Sequence, residues 1–386
     1  MKGSLFLYFF IGFTLGFLII LLFGLNFISV IFAALLGIVF EIFLYIRGIP
    51  PKRKKDVEDL VCIIIPAYNE ENSLRKSVES ATKQSYKNKL IVLVNDNSTD
   101  NTGILMERYA KEYENVIYLR NYENLGKFSS IMRAFKEVSA DTYVIVDADN
   151  EFPENYIEYY MKRMENVDAL ETPLSSYNAC KNFTSLIHTL EISLMSSIRF
   201  MNLFPNFTGR GMFIRKKVLE FLHERNIKGK DDGAMMNIAM KHGNFKYRYF
   251  TGPALKEYAT EKFRDLVNQR DRWYTLGMVE TLEKGTRILS IVFGLYSSLV
   301  FSTIFLGVIM PLLGFRWYLV LMTELLIGVL VHSIIYSRKF EIGCNRFING
   351  IFGIVMLLIN TSLIFRSFCR VIFGKIPKSW YKVPKS

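Results

Sequence analysis

Apolar residues in this chain of 386 gather at its two ends, with a more polar stretch between them. Residues 5–25 run almost without charge, and 27–46 follow with only Glu41 interrupting. Each stretch is long enough to cross about 30 Å of hydrocarbon as a helix. A removed leader peptide is the competing reading of the first stretch. Its length, the second stretch directly behind it and the lack of a small-residue cleavage site speak against that. Residues 1–50 are therefore expected to form a two-helix membrane hairpin. Three more apolar stretches, 288–313, 317–336 and 348–365, predict two to three spans in a C-terminal membrane region, 288–372, before a basic tail at 373–386.

Between the ends the pattern changes to short apolar runs alternating with helical ones. Leu60–Ile65 is a continuous apolar run ending at Pro66, as expected of a strand buried on both faces. A helical pattern covers Ser73 to Gln84, and Leu90–Val94 is a second buried strand. Ser98 or Thr99 is placed to cap a helix running to about Glu112. Val116–Leu119 and Tyr143–Val146 are the third and fourth strands. This alternation predicts an α/β domain over 56–260 with a mainly parallel sheet, whose ligands bind at the carboxyl ends of the strands. Further on, Phe263, Leu266, Val267, Arg270, Tyr274, Met278 and Leu282 recur at helical spacing. They predict an amphipathic helix over 261–287, of the kind that lies along a membrane surface.

Charge adds orientation. The net charge is +12, and Arg47 and Lys52-Arg53-Lys54-Lys55 directly follow the hairpin. Such clusters stay in the cytoplasm, so the polar region is expected there, facing anionic lipid; no nucleic acid is needed to explain the charge. Three C-terminal crossings would carry Arg366, Arg370, Lys375, Lys378, Lys382 and Lys385 outside, against the same rule. One of those stretches is therefore expected to be re-entrant or interfacial, or else the pattern hides a further span; the side of the C-terminus stays open. Cys62, Cys180, Cys344 and Cys369 have no paired spacing, which favours buried, reduced thiols over a zinc site or disulfides. His188, His223, His242 and His332 are equally dispersed.

The candidate chemistry sits at the predicted strand ends. Asp147-Ala148-Asp149 sets two carboxylates after an apolar strand, hard oxygen ligands suited to a divalent cation that bridges a diphosphate. Alone, the pair would read as an ordinary strand-end turn; Asp96 at another strand end tips the balance toward nucleotide binding. Asp96 offers an acceptor to a base or ribose and is equally suited to shaping its own loop. Pro66-Ala67-Tyr68-Asn69-Glu70 adds a ring and a carboxylate, and Asn124-Leu125-Gly126-Lys127 a turn and a cation. Asp231-Asp232 opens a helix, where acidic residues are common for electrostatic reasons; Asp232 could also take a proton from an acceptor hydroxyl. In Gln269-Arg270-Asp271-Arg272-Trp273, Arg272 suits a diphosphate and Trp273 a sugar ring, while an interfacial Arg/Trp belt is the plainer account.

Taken in order, these residues resemble the membrane-embedded family 2 glycosyltransferases that carry a Gln-x-x-Arg-Trp motif, a branch with cellulose, chitin, hyaluronan and poly-N-acetylglucosamine synthases and ceramide glucosyltransferase. The resemblance runs from about Val61 to Trp273. It implies a GT-A domain flanked by membrane helices in the cell membrane. Ala67, Tyr68 and Glu70 would line the nucleotide loop, Asp96 would contact uridine, and Lys127 would lie near the nucleotide. Asp147 would approach the nucleotide and Asp149 the Mg2+ or Mn2+ ion. Asp232 would be the catalytic base, while Gln269, Arg272 and Trp273 would hold the diphosphate and the acceptor end. Phe207–Gly211 falls where the family has its acceptor-side loop. Two departures stand out: Asn95-Asp96-Asn97-Ser98 lacks one acid of the usual Asp-Asp-Gly-Ser, and Lys230-Asp231-Asp232 keeps only the last acid of Thr-Glu-Asp. The implied reaction is inverting transfer from a UDP-sugar to a growing polysaccharide. A membrane lipid is the alternative acceptor, and a homo-oligomer would supply the helices that an export path needs. A nucleotide-sugar binder without activity is the third reading, opposed by the joint presence of Asp149, Asp232 and Arg272.

Overall fold

The computed structural model describes residues 45–53, 57–200, 207–226, 232–283 and 344–372, with isolated positions in 35–43, 202–205 and 327–342. The apolar stretches 5–25, 288–313 and most of 27–46 and 317–336 lie outside the described residues, as do Lys54, Lys55, Asp231 and the tail from 373. Stretch 348–365 falls within a helix, Arg346–Ile372, several of whose side chains are also outside that description. Among the described residues, no helix is long and apolar enough to cross a membrane.

Two compact units emerge. One holds Tyr45–Tyr177 and Met195–Tyr258; the other holds Asn178–Leu194 with the described residues from Ala259 on. The first unit carries strands β1 (Val61–Ala67), β2 (Lys89–Asn95), β3 (Val116–Arg120), β4 (Thr142–Ile145), β5 (Ala169–Glu171), β6 (Leu174–Ser176), β7 (Met212–Arg215), β8 (Tyr247–Tyr249) and β9 (Leu255–Glu257). Its helices are α1 (Leu74–Thr82), α2 (Thr102–Glu112), α3 (Lys127–Glu137) and α4 (Tyr156–Met161). Helix α5 (Phe183–Arg199) follows in the chain, then α6 (Lys216–Glu224) and α7 (Asp232–His242). Seven strands form one sheet in the order β3-β2-β1-β4-β7-β5-β8, and β6 pairs with β9.

The sheet is mostly parallel, as the alternating pattern predicts. β1 lies between β2 and β4, parallel to both, and all seven of its residues are buried. Its pairing with β4 ends at Ile64↔Ile145. Pro66, which has no N–H to give, therefore falls beyond the β4 ladder. α1 buries Leu74, Ser77, Val78 and Ala81, the spacing of one helical face. What the sequence pattern does not reveal is β7, which runs antiparallel between β4 and β5. Strands after β4 are only three or four residues long, too short for a period to show. Tyr156, Tyr160, Phe213 and Phe250 fill the space beside them with ring centroids 5.1–5.6 Å apart.

Two expectations are corrected. Neither Ser98 nor Thr99 caps α2: the helix starts at Thr102, whose N–H donates to Asp100 Oδ1 at 3.0 Å. Ser98 and Thr99 instead fasten a neighbouring loop, described below. The four cysteines are not all reduced thiols, since Cys180 and Cys344 of the second unit form a disulfide across 164 residues of sequence. No sequence spacing could signal a pair so far apart.

In the second unit, α8 (Phe263–Glu283) packs along α9 (Arg346–Ile372). Leu266 and Arg270, two members of the strip that the pattern assigns to a membrane surface, are buried in protein. Phe263 remains exposed, and the side chains of Met278 and Leu282 lie outside the described residues.

Candidate active site

The strand order reverses between β1 and β4, and crevices form at the carboxyl ends of strands on either side of such a reversal. The loop after β1 and the loop after β2 are stitched together there. Asn69 N–H donates to Ser98 Oγ at 3.0 Å, Thr99 N–H to Asn69 Oδ1 at 2.8 Å, and Glu70 N–H to Thr102 Oγ1 at 2.7 Å. Asn69 and Asn97 both adopt positive φ, 55° and 61°, which asparagine tolerates better than most residues. Ala67 is buried at the end of β1 while Tyr68 presents 41% of its surface. Glu70 hydrogen-bonds the Ser73 hydroxyl. Asp96 is buried, and its carboxylate accepts from Asn121 Nδ2 at 2.7 Å and from the N–H groups of Leu125 and Gly126, each at 2.9 Å. The aspartate thus shapes the turn that delivers Lys127.

Lys127 is the hub. Its Nζ lies 2.5 Å from Asp147 Oδ1 and 2.9 Å from Asp232 Oδ2, and donates to the Gly209 carbonyl at 2.6 Å. Burial by itself would push the ammonium down; the charges of Asp147 and Asp232 overcome this and hold it above the ordinary lysine range. Burial raises the Asp147 carboxyl against the pull of Lys127, and the charge of Asp149 adds to the rise. The structure therefore brings together the strand-end acid Asp147, the turn cation Lys127 and the helix-start acid Asp232. In the chain these are separated by up to about a hundred residues.

Four further charged residues form ion pairs in this unit, Glu171 with Arg199 and Arg210 with Glu257, and of these only Arg210, in loop 207–211, is marked by the sequence. Glu171 at the end of β5 is buried; its Oε1 accepts from Thr208 N at 2.7 Å and Thr208 Oγ1 at 2.9 Å, and its Oε2 pairs with Arg199 at 2.9 Å. Arg210 pairs with Glu257. Although burial lowers it, Arg210 is held above its ordinary value by Glu257 first, then by Asp147 and Glu171. For Glu171 the only available signal was context, a lone acid closing the apolar strand Ala169-Leu170; Glu257 follows Lys256 and had no such signal. Gly209 has φ +89°, and a methyl there would come within 2.4 Å of Asp232 Oδ1. Loop 207–211 also runs against Gly233, where an added carbon would meet the Phe207 carbonyl at 2.7 Å.

Gln269 and Trp273 belong to α8 in the second unit. Arg270, between them, is fully buried, donates to Gln269 Oε1, and has its guanidinium 4.3 Å from the Trp273 ring centroid. Arg272 is helical, but its side chain lies outside the described residues.

The donor set at 147–149 fits a hard divalent cation. The charge of Asp149 raises the cost of ionising Asp147, and a cation relieves that cost. Among the described residues, no group of three or more His, Cys, Asp or Glu gathers as a closed metal cage. A magnesium-type ion needs only one or two carboxylates when phosphate oxygens and water fill the remaining positions.

The open, mostly parallel sheet with acids at the carboxyl ends of its strands is an α/β fold of the GT-A type. The chain matches the profile of Glycosyl transferase family 2 over residues 62–221 and that of Glycosyl transferase family group 2 over residues 143–336. The second match covers half of the chain, and the chain belongs to this glycosyltransferase family. Probable glycosyltransferase YdaM of Bacillus subtilis is 27% identical over 239 residues, 58% of this chain and 57% of that protein. The teichoic acid poly(glycerol phosphate) polymerase of Staphylococcus epidermidis is 31% identical over 116 residues, 30% of this chain and 16% of the polymerase. The chain thus spans at most about three-fifths of these relatives' length. The mannosyltransferase PcManGT of Pyrobaculum calidifontis, solved with GDP-Man and Mn2+, superposes with a TM-score of 0.53 at 15% identity, covering 90% of this chain and 98% of that one. At that identity the likeness is one of fold.

Proposed function

We propose that this glycosyltransferase is an inverting, membrane-bound polysaccharide synthase that draws on a UDP-sugar with Mg2+ or Mn2+, its catalytic unit on the cytoplasmic side of the cell membrane. The observation that carries this reading is Lys127, which bridges Asp147 and Asp232. A donor-side acid and an acid suited to be a base are thereby held within reach of one cation.

Each residue then has a task. Ala67, Tyr68, Glu70 and Asp96 form and line the nucleotide loop. Asp147 faces the nucleotide and Asp149 holds the metal ion, which supplies positive charge beside the diphosphate when bound. Asp232 accepts the proton of an acceptor hydroxyl. The acceptor oxygen bonds to the anomeric carbon as the bond from that carbon to the phosphate oxygen breaks, its electron pair leaving with UDP. Lys127 and Arg272 offset the charge that develops on the departing UDP. Gln269 and Trp273 hold the acceptor end. Transfer to a membrane lipid is the second reading, favoured by the small number of apolar stretches after residue 287, since an export path needs several packed helices.

The test uses the full chain in nanodiscs with a panel of UDP-sugars and either metal. Metal-dependent UDP release and a ladder of products are expected; one lipid adduct with no elongation would replace the synthase reading by the second. Asp232→Asn is expected to abolish UDP release while UDP still binds. Undiminished turnover in that variant would remove Asp232 from the role of base.

A further inference from the structure

The second unit contains buried charge for which the reaction has no direct use. Glu191 on α5 is 3% exposed and Arg270 on α8 is fully buried. Arg270 Nε donates to Glu191 Oε2 at 2.7 Å, and the Tyr274 hydroxyl donates to Glu191 Oε1 at 2.5 Å. Both oxygens of one carboxylate are therefore engaged by α8. On the next residue, Asp271 is buried and its Oδ2 meets Arg366 at 3.2 Å and Arg370 at 2.9 Å, both on α9.

A helix turns by about 100° per residue. Gln269, Arg272 and Trp273 therefore share an arc of about 100°, and the midpoint of Arg270 and Asp271 lies about 160° from its centre. The motif residues occupy one face of α8, and the ion-paired residues occupy nearly the opposite one. Arg270 also reaches around the helix to both described motif side chains, hydrogen-bonding Gln269 and lying against the Trp273 ring.

We infer that Arg270 and Asp271, with Glu191, Arg366 and Arg370, are positioning residues that set the rotation of α8 and thereby fix Gln269 and Trp273 for the acceptor end. The inference rests on the reading of Gln269, Arg272 and Trp273 as the acceptor and diphosphate motif. The physical reason is the use of charge where a methyl group would pack. An apolar strip can rotate by a few degrees at little cost, one contact replacing another. Turning Arg270 away from Glu191 would leave two buried charges without partners. Pairs made by adjacent residues to two different helices oppose rotation in both directions. The planar guanidinium adds a stacking surface that an ammonium cannot offer.

The test reads Trp273 directly. The chain has three tryptophans, and Trp317→Phe with Trp380→Phe leaves Trp273 as the sole tryptophan, read by excitation at wavelengths that tyrosine does not absorb. In this background, Glu191→Gln and Asp271→Asn are expected to shift Trp273 emission and increase its quenching by acrylamide. Turnover should fall about ten- to a hundredfold, as for a slightly misplaced group. The acceptor KM should rise by a larger factor than the donor KM, which responds only through Arg272. Arg270→Lys keeps a cation for Glu191 and secures the test if the other variants fold poorly: its quenching should change at an unaltered melting temperature. Tyr274→Phe keeps the ion pair and is expected to retain most of the activity. Unmoved Trp273 emission, activity lost only in proportion to folded protein, or a rise in donor KM alone would overturn the inference. Emission and quenching need no turnover. Absence of sugar transfer in the parent chain would therefore defeat the proposed function and leave positioning to be judged by fluorescence.

Discussion

Gly209 shows how closely one residue can be tied to another's chemistry. Its φ of +89° disfavours any side chain, and the first atom of one would stand 2.4 Å from the Asp232 carboxylate. Gly209→Ala is expected to cost about 1–3 kcal/mol in backbone strain and to lower turnover by a larger factor than its loss of stability explains. Steady-state kinetics beside a denaturant titration checks both. Cys62 in β1 gives a pH prediction. Burial pushes its thiol from 9.0 up to about 12. Above pH 9 the unfolded thiol loses its proton while the folded one keeps it, so rising pH favours unfolding until the folded thiol also ionises. Relative to Cys62→Ala, the native chain should lose stability between pH 9 and 12, at up to about 1.4 kcal/mol per pH unit. Parallel slopes for the two proteins would refute this. Asp147, Lys127 and Asp232 were legible because each sits in a short polar cluster beside an apolar run. Glu171 and Glu257 were not, because a single glutamate in a sequence looks like surface until its arginine partner is found.

At the scale of elements, parallel strands β1 to β4 followed from continuous apolar runs, whereas the antiparallel β7 did not. A run such as Met212-Phe213-Ile214 states that a strand is buried and says nothing of its direction. Direction comes from the connection, here the loop 207–211 that sets Arg210 against Glu257. Arg210→Met should destabilise the sheet-bearing unit by about 3–5 kcal/mol, because it strands a buried glutamate. Adding Glu257→Gln should return part of that loss, since the unpaired charge is gone. Urea unfolding of the single and double variants measures both, and a double variant less stable than Arg210→Met alone would show that the pair is not the source. The motif helix α8 carries the same lesson. Its apolar spacing foretold a helix with one covered face, but only Glu191 and Arg370 explain why Arg270 and Asp271 lie inside.

For the molecule as a whole, the link between Cys180 and Cys344 joins parts of the second unit that are 164 residues apart in sequence. In the purified, oxidised chain, reduction should lower the melting temperature; the loop-entropy contribution reaches up to about 5 kcal/mol. The disulfide and the cytoplasmic reading make opposite predictions for rapid alkylation in intact cells: both thiols protected where the bond forms, both trapped free where the unit lies in a reducing compartment. The same discontinuity sets a timetable for synthesis. Ribosomes add roughly 5–20 residues per second, so Cys180 leaves the tunnel about 10–30 s before Cys344 follows. Glu191 likewise emerges ahead of Arg270. During that interval the sheet-bearing unit can complete its last strand at Glu257, while the segment carrying Cys180 and Glu191 still waits for its partners. The nascent chain therefore exposes an unpaired carboxylate and an unpaired thiol together, a brief window in which a chaperone or a modifying thiol reagent could select between productive and failed assembly.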